Sequence, residues 1–189
     1  MKKKILAMIL VLACAATPCA PAGLSPAPAV VQAATQKAKK APSISKVYHA
    51  VKNAYGENYA PNVRLKKQDI KDLYGISEDW YTAAIAEVPM ISTNVDTLIL
   101  VKTKDAASKK KVKAALKAYR QKLVQDTHQY PMNQLKIQAS KVYAKGDYVC
   151  FFMLGSLSNK QEEQSEEKVI AAYKKQNEKA VKAIQKLYA

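Results

Sequence analysis

Beyond residue 42 the apolar positions recur at two spacings, and the switches between them outline the elements. Val47, Ala50, Val51 and Ala54 form one helical stripe, which Ser43 or Ser45 can cap and Gly56 stops. A loop rich in Tyr, Pro and Asn separates it from a short helix at 67–74, closed by Gly75. The stretch 80–91 is ambiguous, whereas Thr97-Leu98-Ile99-Leu100-Val101 is β-branched and apolar enough for a strand. Asn94-Val95-Asp96 supplies turn chemistry between them, so 81–91 and 97–102 are expected to pair antiparallel.

Asp105 or Ser108 then opens a helix in which Val112, Leu116, Tyr119 and Leu123 share one face. Lys109, Lys110, Lys113, Lys117 and Arg120 are expected on its opposite side. A hairpin follows, with Lys141-Val142-Tyr143-Ala144 turning through Lys145-Gly146-Asp147 into Tyr148-Val149-Cys150-Phe151-Phe152-Met153-Leu154. That almost continuous apolar return marks a strand covered on both faces, hence a central one. The last helix, about 162–188, carries Val169, Tyr173, Val181, Ile184 and Tyr188 at helical spacing. Its acids Glu162, Glu163, Glu166 and Glu167 come first and its lysines later, which complements the helix dipole. The pattern predicts a compact single α+β domain: an antiparallel sheet of about four strands (two hairpins) packed by amphipathic helices.

The first 34 residues carry an address. Met1-Lys2-Lys3-Lys4 is a cationic head, residues 5–16 are apolar, and Val31-Gln32-Ala33-Ala34 places small residues for a signal peptidase. The apolar run is short for a membrane span and ends near Pro18 and Pro21. Two addresses follow. Cleavage at Ala33 or Ala34 releases a secreted chain, whereas Val11-Leu12-Ala13-Cys14 resembles a lipobox whose Cys14 would be lipidated. The expected layout is a signal peptide over 1–34, a Lys/Ala/Pro linker over 35–42, an α+β domain over 43–155 and a C-terminal amphipathic helix over 156–189. Removing Lys2, Lys3 and Lys4 lowers the net charge of +16 by three, and the surface left is still strongly basic. Such a surface attracts polyanions. For an exported chain, anionic wall polymers and lipid headgroups rank above nucleic acid.

The segments VPMISTNVDTLILVKTKD and YPMNQLKIQASKVYAKGDYVCFFMLG, on either side of a Lys-rich amphipathic helix and behind a signal sequence, resemble domain-of-unknown-function family 4358 over about 43–155. Asp96 and Gly146-Asp147-Tyr148 are its most specific marks. The resemblance implies a small α+β domain outside the cytoplasmic membrane of a Gram-positive cell, often lipid-anchored. It carries over no activity, cofactor or catalytic residue.

Candidate chemistry is sparse. Cys150 is the one thiol beyond the signal region, but its neighbours Val149 and Phe151 predict an inert packing cysteine. His49 and His128 have no companion at metal-ligand spacing and are expected at the surface. Ser43-Ile44-Ser45-Lys46 and Ser108-Lys109-Lys110-Lys111 match the Ser-x-x-Lys of penicillin-recognising enzymes, without that fold's other elements, and the serines fit helix caps better. The carboxylate pairs Asp69/Asp72 and Glu78/Asp79 and the cluster at 162–167 sit at helix starts. Tyr48, Tyr55, Tyr59 and Trp80 are candidates to line a groove. The expectation is a monomeric exported envelope protein, non-catalytic, with no cofactor and no metal. It would bind an anionic wall polymer or membrane surface through the basic helix face, or dock a protein partner of the envelope; the remaining alternative is an envelope enzyme whose pocket gathers at least two of His49, His128, Cys150 and the Asp/Glu pairs.

Overall fold

The apolar stripes become helices where a side chain can satisfy the first free N–H groups. In the computed structural model, which describes residues 41–189, Ser43 caps α1 (Ile44–Tyr55), its hydroxyl accepting from the Lys46 N–H at 3.3 Å. Val47, Val51 and Tyr55 are the buried face of α1. Helix α2 (Lys67–Tyr74) stops at Gly75, whose φ of +67° reverses the chain at little cost because glycine lacks a Cβ. Asp105 caps α3 (Ala106–Gln125) by accepting from the Ser108 N–H at 2.7 Å. The segment 1–34 expected to be a signal peptide, with Cys14, Ala33 and Ala34, and the expected linker up to residue 40 lie outside the described residues.

The strands β1 (Val63–Arg64), β2 (Tyr81–Val88), β3 (Thr97–Thr103), β4 (Lys141–Lys145) and β5 (Tyr148–Met153) form one antiparallel sheet, ordered β1-β2-β3-β5-β4. The fold class is the α+β domain read from the sequence, with a fifth strand. The extra strand, β1, is too short for any alternation to show. Strand β2 ends at Val88, short of residue 91, because Pro89 offers no N–H to an internal ladder. Three further helices follow among the described residues: α4 (Pro131–Ala139), opened by its own proline, α5 (Asn159–Glu162) and α6 (Glu166–Lys186), the helix expected from about 162 starting only after Ser165.

Alternation along the central strands feeds two cores. Leu98, Leu100, Tyr148, Cys150 and Phe152 pack under α1 and α6. Ile99, Val101, Val149, Phe151 and Met153 turn the other way, to meet α2, α3 and Ile137 of α4. β3 and β5 are therefore covered on both sides, as an uninterrupted apolar strand requires.

Buried polar groups tie the helices to this sheet. Asn177 of α6 is fully buried; it accepts from the Leu154 N–H at 3.0 Å and donates to the Ala139 carbonyl at 2.9 Å. The β4–β5 turn needs Gly146, where φ is +56° and an added Cβ would lie 2.6 Å from the Tyr188 hydroxyl. Residue 42 sits at that same turn end of the sheet, since the Tyr148 hydroxyl donates to the Pro42 carbonyl at 2.7 Å.

Candidate functional site

The five basic residues of α3 divide into two groups. Lys109 donates to the Gly146 carbonyl, and Arg120 donates to the carbonyls of Ser140 at 2.9 Å and Gln138 at 2.8 Å. Both are half-buried, whereas Lys110, Lys113 and Lys117 are exposed and have no hydrogen-bond or ion-pair partner among the described residues. At about 100° per residue, Lys109, Lys113 and Arg120 share a flank that adjoins the Val112/Leu116 stripe. These three do not gather opposite that stripe, whereas Lys110 and Lys117 lie closer to the opposite side; α3 lies against β4, so cations on its near flank reach main-chain carbonyls at the two ends of that strand.

This places a basic row beside an open sheet edge. Among the described residues β4 is the last strand of the sheet, paired only with β5. The Gly146 carbonyl lies just beyond one end of β4 and the Ser140 carbonyl just before the other, so α3 runs antiparallel to the strand. Along the helix axis Lys113 and Lys117 fall between the two pinned cations, Lys113 on their flank and Lys117 turned further toward solvent. Lys141 adds a further cation, paired with Glu178, and Lys145 lies 5.7 Å from the Tyr188 ring centroid. At the Ser140 end, a cleft of about 300 Å³ is lined by Arg120, Lys141, Lys174 and Glu178.

The other candidates do not converge. Cys150 is wholly buried under α1 and α6, and burial pushes its thiol far above the ordinary range, away from the thiolate a nucleophile needs. His49 is exposed on α1 with its ring against Tyr48, and His128 is exposed after α3, 3.3 Å from Asp126. Among the described residues no group of three or more His, Cys, Asp and Glu is placed to hold a metal ion. Ser43 is a cap and Ser108 is buried behind one. Asp69 closes the start of α2 by accepting from the Lys66 N–H at 2.8 Å, and Glu78 pairs with Lys67 at 3.0 Å.

The aromatic groove does not form either. Tyr55 is buried, its hydroxyl donating to the Gln176 carbonyl at 2.8 Å, and Trp80 packs in the opposite core. Tyr48 and Tyr59 instead donate to Glu87, at 3.1 and 2.7 Å, beside an Arg64 Nη2 at 2.7 Å. Burial, then the Glu87 carboxylate, drives the Tyr59 hydroxyl well above its usual range, so it stays a donor. Glu87 is thus satisfied from β1, α1 and the loop before β1, which describes a clamp.

A second buried carboxylate gives Asp96 its place in the fold. Asp96 pairs with Lys136 of α4 and accepts from the Gly155 N–H at 3.1 Å, and both charged residues are almost fully buried. Burial pushes the Asp96 carboxyl above its ordinary value, against the pull of Lys136 and Gly155. Sequence reading marked Asp96 but missed Lys136, because α4 has no clear apolar period to show which of its residues turn inward. Asn133 Nδ2 of the same helix donates to the Thr93 carbonyl at 2.9 Å and holds the loop before Asp96.

The geometry defines a small α+β domain whose exposed cations line a free sheet edge. The chain belongs to the family described as Domain of unknown function (DUF4358), which matches residues 54–154. No curated protein and no solved structure matches the chain. The family match ends before α5 and α6, although α6 supplies half of one helical layer.

Proposed function

We propose that this protein is an exported, non-catalytic domain of the cell envelope, secreted or lipid-anchored, that binds an anionic partner along the β4 edge and the α3 flank beside it. Export rests on the cationic, apolar and small-residue order of residues 1–34. The observation that carries the binding reading is the placement of Lys113 and Lys117. They are exposed and unpaired among the described residues, and along the helix they fall between two cations already committed to main-chain carbonyls. Phosphates of a wall polymer, lipid headgroups and carboxylates of a polypeptide all answer that chemistry.

The test is retention of the full chain on Gram-positive walls with and without teichoic acid, on anionic vesicles and on an acidic polypeptide. Each is run at low and near-physiological salt. The expected result is retention on at least one anionic support that weakens with salt and is lost in Lys113→Glu/Lys117→Glu. Retention on none, or retention indifferent to that charge reversal, overturns the reading.

An alternative reading, docking of an envelope protein through an apolar contact, has one observation in its favour. Met90 and Ile91 are 77% and 69% exposed, and Tyr130 is 66% exposed next to the helix that holds their loop. They lie at the far end of the sheet from residue 42.

A further inference from the structure

The β4 edge offers more than charge. The Thr103 N–H donates to the Asp147 carbonyl at 2.8 Å, which fixes the alternation of the ladder. Residues 149, 151 and 153 of β5 then bond β3, and 148, 150 and 152 bond β4. On β4 the inward-bonding residues are accordingly Lys141, Tyr143 and Lys145. Val142 and Ala144 turn their N–H and C=O groups to the open edge, where no strand pairs with them among the described residues.

Resting on the anionic-partner reading, we infer that this edge takes up an extended acidic polypeptide as a sixth strand, with acids at every second position facing Lys113 and Lys117. Three observations select that partner. Outward groups that alternate donor and acceptor are matched by a peptide backbone, whereas phosphates supply acceptors only and leave the Val142 and Ala144 carbonyls unanswered. Spacing agrees: four residues of helix separate Lys113 from Lys117 by about 6 Å, and alternate residues of a strand are about 6.7 Å apart. The two faces also differ. Val142 and Ala144 pack on the α3 side, beside the lysines, while the half-buried Tyr143 lies on the α6 side. The incoming strand therefore carries acids toward α3 and apolar residues toward Tyr143.

The same charges exclude two other occupants. A second copy added edge to edge would bring Lys113, Lys117, Lys141 and Lys145 against their own images. The chain's own N-terminal segment carries Lys37, Lys39 and Lys40 and no acid. Edge lysines also discourage adventitious strand pairing, which leaves acidic strands as the ones admitted.

The experiment uses the isotope-labelled full chain and four probes. These are a short peptide alternating Glu and Val, the same peptide N-methylated along one edge, a block peptide of equal composition, and inorganic polyphosphate. The alternating peptide should slow amide exchange at Val142 and Ala144. N-methylation should weaken binding about tenfold or more, the loss expected for missing backbone hydrogen bonds. Lys113→Glu/Lys117→Glu should weaken it comparably. If the N-methylated or block peptide binds as well as the alternating one, or polyphosphate alone binds, strand addition is wrong and the anionic-partner reading survives. If none of the four binds, strand addition falls as well, and the anionic-partner reading then falls too unless walls or anionic vesicles retain the chain.

Discussion

Asp96 and Lys136, separated by 40 residues, form a buried ion pair that fastens α4 to the start of β3. Asp96 also receives the Gly155 N–H, so one carboxylate joins the strand start, the helix and the end of β5.

Replacing one member should therefore cost far more than replacing both. Lys136→Met leaves a buried carboxylate uncompensated and is expected to lower stability by about 3–5 kcal/mol, whereas Asp96→Asn/Lys136→Met should recover much of that loss. The pH dependence has a definite sign. A folded-state carboxyl raised above its unfolded value binds more protons when folded, so its contribution falls as pH climbs from the ordinary carboxylate range through the raised value. Removing Lys136 extends that window upward. The gap between wild type and Lys136→Met, followed by urea midpoints, should narrow as pH is lowered from neutrality.

Tyr81 makes the opposite point. Its hydroxyl is buried with no hydrogen-bond partner among the described residues. Tyr81→Phe removes a group that water would otherwise solvate, and should leave thermal stability unchanged or raise it by up to about 1 kcal/mol. A loss of more than that would mean the hydroxyl has a partner in solution.

Cys150 serves as a reporter of opening. Complete burial and a strongly raised thiol predict no reaction with a thiol reagent in the folded protein at neutral pH. Labelling should follow global unfolding and accelerate with urea in step with it. Rapid stoichiometric labelling of native protein would contradict the packing described above.

Gly146→Ala tests the β4–β5 turn. Its left-handed backbone costs about 1–2 kcal/mol with a side chain, and the new Cβ crowds the Tyr188 ring. Loss of stability in the full chain should be partly relieved by Tyr188→Ala. Relief shows that the crowding is real, and no relief assigns the whole cost to the backbone.

Period and punctuation in the sequence determined α1, α3, the central strands and the last helix, because each of these buries a regular stripe that local spacing alone can write. They also determined that Cys150 is a packing residue, since its neighbours are apolar on both sides. The export reading proposed for residues 1–34 rests on their sequence order alone. Tertiary structure decided what is non-local. β1 has two residues and exists because β2 offers an edge. Lys136 is buried because Asp96 meets it from across the fold. Five cations that look alike in the sequence separate because two of them reach main-chain carbonyls and three do not. Composition fixes how much charge a chain carries, but its availability to a partner depends on which carbonyls and acids the fold brings within a few ångströms.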